Sequence, residues 1–179
     1  RGETVPVAAG QRMRPSLAGP LPKLRTPNGQ PALSAAPGAC KWRLVALEVT
    51  HLSPLPVDEQ YGLVALGEGD ASAPPSDVVL DRLYVHGATA DANVRRGVAL
   101  NGARQAVVDS WIADVHSRGT DSQAIAGWGG AGPYLIRDNY LEAAGENIMF
   151  GGSDPGVDGL VPSDITVTGN HFFKSLSWK

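Results

Sequence analysis

Three polar side chains stand at matching positions of strands that the sequence predicts to be neighbours. Arg96, Gln123 and Glu146 each come two residues before an apolar residue that recurs along the chain. Paired strands lie about 4.8 Å apart, so the three side chains would form one polar stripe. An Arg fork suits a carboxylate, Gln suits hydroxyl groups and Glu can accept a proton. Trp128 and Asn101, three residues after the recurring apolar position, would hold a sugar beside the stripe.

The stripe predicts a groove for a uronate-containing glycan, with Arg96, Gln123 and Glu146 as catalytic residues. A lyase needs a base beside a carboxylate that a cation neutralises. A hydrolase needs two carboxyl groups flanking the bond, about 5–5.5 Å or about 6.5–9.5 Å apart. The alternative is a surface stripe in which Arg96 and Glu146 only satisfy the amide of Gln123.

A column of rings is the second candidate for sugar binding. His51, Tyr84, Trp111, Tyr140 and His171 occupy the same position in a phrase that recurs about every 30 residues. Tyr84, Trp111 and Tyr140 would bind substrate if their faces formed a platform. The alternative is a stacked ladder that stabilises the fold, since each offset aromatic pair contributes about 0.5–1.5 kcal/mol.

One loop carries candidate metal ligands. Asp154, Asp158 and Asp164 lie in and just after a Gly- and Pro-rich stretch, and calcium takes several oxygen ligands with flexible spacing. These residues predict a calcium site, and calcium is the one cofactor that the sequence suggests. The alternative is an ordinary turn, because Asp-Pro-Gly and Asp-Gly are common turn signals.

The recurring phrase also predicts the elements that position these residues. Its apolar and polar residues alternate with period two, which indicates strands, and its sixth position breaks the alternation, which indicates a bend. Asn139 and Asn170 at that position would form an amide ladder. The five copies in our alignment are Val45–Leu52, Val78–Val85, Gln105–Ile112, Tyr134–Leu141 and Ile165–Phe172.

A second strand is predicted after three of the phrases, and long amphipathic helices are absent. With 22 Gly and 14 Pro in 179 residues, frequent turns are expected. The pattern predicts an all-β fold, a right-handed parallel β-helix of about five coils. The second strands are predicted at Gly97–Asn101, Ala124–Trp128 and Asn147–Gly151.

The composition limits the partners and the domain count. The chain is 42% hydrophobic and 18% charged with a net charge of −3, which is typical of a globular domain and gives no reason to expect nucleic acid. No apolar run is long enough to span a membrane. Cys40 is the single cysteine and leaves the redox compartment open, and the oligomeric state is not indicated. We expect an irregular Pro/Gly-rich segment at 1–40 and solenoid coils at 41–179, within a longer solenoid.

Five stretches resemble uncharacterised bacterial β-helix proteins of the pectin-lyase-like superfamily. The resemblance implies a right-handed parallel β-helix, a secreted or cell-surface location and a polysaccharide ligand. The motifs of polygalacturonase-like enzymes, such as Asn-Thr-Asp and Gly-His-Gly, are absent, so the resemblance does not imply a particular reaction. The similar stretches are Asp77–Gly87, Arg95–Asn101, Asp121–Gly127, Leu141–Gly152 and Val161–Ile165.

Two functions follow as expectations. The first is an extracellular polysaccharide-binding β-helix, acting as a polysaccharide lyase or glycoside hydrolase on acidic glycans. The second is a non-catalytic structural or adhesive surface solenoid, in which the aligned columns only hold the coils together.

Overall fold

The chain winds into stacked coils whose strands form three parallel sheets. This architecture is seen in a computed structural model that describes residues 5–54, 57–69, 72–88 and 92–178. Neighbouring strands within each sheet come from successive coils, and every pair is parallel. The predicted parallel β-helix is therefore confirmed.

Each full coil contributes one strand to each sheet, and we label the sheets A, B and C. Sheet A contains β1 (Lys23–Thr26), β4 (Glu48–His51), β7 (Tyr84–His86), β10 (Trp111–Val115), β13 (Tyr140–Ala143) and β16 (His171–Phe173). Sheet B contains β2 (Leu33–Ser34), β5 (Val64–Leu66), β8 (Arg96–Leu100), β11 (Gln123–Gly127) and β14 (Glu146–Phe150). Sheet C contains β3 (Cys40–Val45), β6 (Ser76–Asp81), β9 (Ala103–Val108), β12 (Tyr134–Arg137) and β15 (Ile165–Thr168).

The core is the column of apolar side chains inside the coils. Period-two alternation sends every second side chain of a strand inward, and the inward positions of successive coils stack on one another. The predicted second strands form sheet B in the expected register, with Ile125 paired to Val98 and Ile148. The innermost side chains include Val49, Val64, Leu80, Val98, Ile112, Ile125, Ile136 and Leu141.

A sharp bend joins each strand of sheet C to the next strand of sheet A. The first bend residue has a positive φ in all five coils, a conformation in which the chain turns within two residues. These left-handed residues are Ala46, Arg82, Asp109, Asp138 and Gly169, with φ of 56°, 56°, 52°, 57° and 66°. The bend therefore falls at the fifth and sixth positions of the phrase, where the alternation is broken.

The register of the first phrase was predicted wrongly by three residues. Val78 pairs with Trp42 rather than Val45, and Tyr84 pairs with Glu48 rather than His51. Apolar residues alternate almost equally well in both registers, and His51 matched the ring column by residue type. The bend at Ala46 distinguishes the two, and alanine carries no turn signal.

At three of the bends, the side chain at the second bend position links its coil to the previous one. The backbone N–H of Leu83 donates to Ser110 Oγ at 3.0 Å, and that of Ser110 donates to Asn139 Oδ1 at 2.8 Å. The backbone N–H of Asn139 donates to Asn170 Oδ1 at 2.9 Å, and its side-chain amide donates to the same oxygen at 3.0 Å. The predicted Asn139–Asn170 ladder is confirmed, and Ser110 extends it.

Residues 5–22, which we call the N-terminal strap, run along the solenoid axis across these bends. Met13 N–H donates to Asp109 O at 2.7 Å, and the Arg12 guanidinium donates to Asp138 O at 2.6 Å and Gly169 O at 2.8 Å. The segment expected to be irregular thus comprises this strap, followed by the short strands β1 and β2. Within the described ranges, no helix has the length and apolarity needed to cross a membrane.

Candidate functional site

A groove of about 320 Å³ lies on sheet B, across β2, β5 and β8. Part of its lining comes from small residues in register, because Ser34 pairs with Ala65 and Ala65 pairs with Ala99. Small side chains on three successive strands leave space that larger ones would fill. Its larger lining side chains are Tyr61, Glu68, Arg96 and Trp128.

Arg96 is the central polar group of this groove. The residue is only 7% exposed, and its Nε and Nη1 atoms are buried with no hydrogen-bond partner among the described residues. Its guanidinium carbon lies 4.6 Å from the centre of the Tyr61 ring and 4.8 Å from that of Trp128. Among the residues that the structure describes, no carboxylate pairs with Arg96. A buried cation without an anion is unfavourable, and cation–π contacts of about 0.5–2 kcal/mol offset only part of that penalty.

Trp128 is held in place by its neighbours. The backbone N–H groups of Trp128 and Gly129 donate to Asn101 Oδ1 at 2.9 and 3.1 Å. The indole lies against Gly69, where a side chain would collide with it. Asn101 is itself 1% exposed and donates to Gly67 O at 3.4 Å. Asn101 therefore orients Trp128 and does not line the groove as a sugar ligand.

The predicted stripe has the expected register, yet its members do not converge on one site. Gln123 pairs with both Arg96 and Glu146, and its Nε2 donates to Glu146 Oε2 at 2.7 Å. Arg96 and Glu146 are two strand spacings apart, about 10 Å. Glu146 is exposed and lines a different groove with Phe172, Phe173 and Lys174. Only Arg96 of the three lines the sheet B groove, so they do not act as one catalytic set.

The ring column on sheet A is a ladder. Trp111 and Tyr140 stack with centroids 3.7 Å apart and planes at 10°, and Tyr140 and His171 continue the stack at 5.2 Å. Rings stacked in this way cover each other's faces, so a sugar cannot lie on them. Tyr84 and Trp111 also pack against apolar residues of the strap. The predicted platform of Tyr84, Trp111 and Tyr140 is therefore not formed.

The environment of the column fits a structural role. Burial, followed by the nearby carboxylates of Asp114, Glu48 and Glu142, raises the pKa of Tyr84 to about 12. His51 lies outside the column, 2% exposed, and its Nε2 accepts the backbone N–H of Ala88 at 3.0 Å. Burial also lowers the pKa of His51, so both Tyr84 and His51 are neutral near pH 7.

The predicted calcium site is not formed. Asp154, Asp158 and Asp164 are all exposed. In the part of the chain that the structure describes, no three His, Cys, Asp or Glu side chains come together as a metal-binding group. The backbone of Asp164 is left-handed, with φ 51°, and its carbonyl accepts Tyr134 N–H at 3.1 Å. The acidic loop is thus a set of turns, as the alternative predicted.

Two groove residues, Tyr61 and Glu68, were missed in the sequence. Arg95 does not line the groove but supports it, because its guanidinium carbon lies 5.1 Å from the centre of the Tyr61 ring. The sequence does contain a signal for this groove. Arg95 and Arg96 are adjacent at the start of a buried strand, and no acidic residue occupies the matching position of the strands on either side.

Comparisons of the chain with protein-family models, curated proteins and solved structures find no match.

Proposed function

We propose that the protein is an extracellular β-helix of the pectin-lyase-like kind that binds an acidic polysaccharide in the sheet B groove. The observation that supports this proposal is the buried Arg96 guanidinium, whose Nε and Nη1 have no partner although the residue lines the groove. A carboxylate accepts hydrogen bonds from an Arg fork and neutralises its charge. The exposed part of Tyr61 offers apolar surface for the attached sugar.

The number of carboxylic acids that line the groove favours a binding function over hydrolysis. Hydrolysis of a glycoside uses two carboxyl groups. Among the described lining residues, Glu68 is the one carboxylic acid. Arg96 can neutralise a uronate, as a lyase requires, and Glu68 is the one carboxylate of the described lining that could act as its base. We therefore assign the groove a binding role and place lyase chemistry second.

The test compares wild type with Arg96→Met by calorimetry on polygalacturonate, alginate and a glucuronate-containing glycan, each beside its carboxyl-reduced form. We expect wild type to bind one charged polymer and not its reduced form. Arg96→Met should weaken that binding about ten- to a hundredfold, because hydrogen bonds to charged groups contribute about 1.5–3 kcal/mol.

Arg137→Met is the matched control, since Arg137 lies on sheet C with 46% of its side chain exposed. It should bind as wild type does, and thermal unfolding should show that both variants are folded. Equal binding by Arg96→Met and wild type would contradict the proposal, as would equal binding of charged and reduced polymers. The same samples are checked for unsaturated products and new reducing ends, whose formation would move lyase or hydrolase chemistry to first place.

A further inference from the structure

The guanidinium of Arg96 occupies a slot between two aromatic rings. Tyr61 comes just before β5 and Trp128 just after β11, and these strands lie on opposite sides of β8, which carries Arg96. The ring centres are 4.6 and 4.8 Å from the guanidinium carbon. Both rings lie within cation–π distance of the guanidinium, one contributed by each neighbouring coil, and together they narrow the approach to its N–H groups.

The width of the slot restricts the shape of the anion. Carbon atoms in contact are about 3.5–4 Å apart, so the gap between the rings holds a single flat layer. A carboxylate is planar and can lie in the plane of the guanidinium, where two parallel N–H···O bonds form. A sulfate ester is tetrahedral, and its oxygen atoms project above and below that plane toward both rings.

We propose that Tyr61 is a specificity residue that narrows this slot and makes the groove select planar carboxylates over sulfate esters. The inference rests on the proposed function and names the anion class that the same groove accepts. Selectivity then comes from exclusion of the wrong anion as well as from attraction to the right one.

Tyr61 can be changed without disturbing the rest of the site. Trp128 is fixed from behind by Asn101 and Gly69, whereas Tyr61 is 49% exposed and lies outside the strands. Its contacts with arginine, at Arg95 and Arg96, are to the ring and not to the hydroxyl. Removing the ring should therefore open one side of the slot and leave the guanidinium in place.

The experiment measures dissociation constants for two ligands matched in length. One is a uronate oligomer from the polymer series above, and the other is its carboxyl-reduced form sulfated at O6. Wild type and Tyr61→Phe should prefer the carboxylate by about tenfold or more, because phenylalanine keeps the ring. Tyr61→Ala should bind the two ligands within about threefold of each other. Arg96→Met should lose affinity for both.

The outcomes separate the two proposals. If wild type binds neither ligand nor any charged polymer, the proposed glycan-binding function is wrong. If wild type binds both ligands equally, or if Tyr61→Ala keeps the full preference while remaining folded, the slot does not select the anion and only the binding function stands. A lost preference in Tyr61→Phe would assign the selection to the hydroxyl and would also overturn the proposal.

Discussion

At the scale of single residues, a buried cation that contacts aromatic rings distinguishes the groove from the paired polar groups on the neighbouring strands. The amide of Gln123 donates to Glu146, and Asp81 is paired with two arginines. Arg96 is 7% exposed, and among the described residues it contacts two aromatic rings and no carboxylate. The Asp81 ion pairs are complete within the fold, so a buried cation that lines a groove without a described carboxylate partner is the stronger sign of a ligand site.

The bend ladder allows a residue-scale prediction about stability. Asn139 is fully buried, accepts the backbone N–H of Ser110 and donates to Val107 O at 2.8 Å. Asn139→Ala leaves these backbone groups without partners, and each buried unsatisfied group costs about 1–3 kcal/mol. For the two groups together, we expect urea denaturation to show a loss of unfolding free energy of about 2–6 kcal/mol. Asn28→Ala, in an exposed turn, should lose less, and an equal loss in both variants would contradict the ladder.

The site was partly predictable from single residues. Arg96 and Trp128 were identified because strand register brings them near one another, and register follows from periodicity. Tyr61 was missed because it lies outside the strands, between Gln60 and Gly62, where no pattern fixes its position. The calcium site was predicted from residue types alone, and loop geometry keeps Asp154, Asp158 and Asp164 apart.

At the scale of strands and bends, periodicity predicted the three sheets more reliably than it predicted the register of the first phrase. Four phrases share clear alternation and polar bend residues, and their alignment is confirmed by the pairing of Val78, Gln105, Tyr134 and Ile165. The first phrase has Ala46 and Leu47 at its bend, so neither residue type marks the turn. Its strand could be shifted by three residues without breaking the apolar pattern, and only the backbone conformation decides.

The ring column gives a prediction at the scale of this element. Trp111→Ala removes the stacking partner of Tyr140 and part of the surface on which the strap packs. We expect a loss of about 3 kcal/mol in the free energy of unfolding, measured by urea denaturation, because large-to-small changes leave cavities. Glycan affinity should be unchanged, since the groove lies on sheet B. Trp42→Ala is the control, as Trp42 is 60% exposed and should lose little.

At the scale of the whole molecule, one buried ion cluster connects the strap to the coils. The Arg82 guanidinium donates to both oxygens of Asp81, at 2.9 and 2.8 Å, and to Val7 O of the strap at 2.8 Å. Arg43 on the neighbouring strand of sheet C also contacts Asp81. Burial of Asp81 acts to raise its pKa, but the hydrogen bonds from Arg82 and Arg43 outweigh burial and lower the pKa below its ordinary value.

This lowered pKa predicts acid sensitivity of the whole fold. An ordinary Asp titrates near pH 3.9, so the Asp81 contribution is fully present above about that pH. It is lost as the pH falls through the lower pKa of the folded state. Unfolding free energies measured between pH 7 and pH 2 should therefore decline for wild type at the acid end. Asp81→Asn should be less stable by about 3–5 kcal/mol at pH 7, because Arg82 keeps its buried charge without the Asp81 carboxylate.

Asp77→Asn is the control that separates the loss of the buried Asp81 ion pairs from the loss of a surface charge. Asp77 pairs with Arg104 on the surface, where both side chains are substantially exposed, and such pairs contribute little to stability. Its stability curve should follow that of wild type closely, whereas the Asp81→Asn curve should be lower at neutral pH and flatter in acid. Parallel acid transitions in Asp81→Asn and wild type would show that another group controls the transition. Because Arg82 joins the strap to the coils, proteolysis of residues 5–22 should also be faster in Asp81→Asn than in wild type. Faster cleavage would show that Asp81 contributes to the integrity of the entire solenoid.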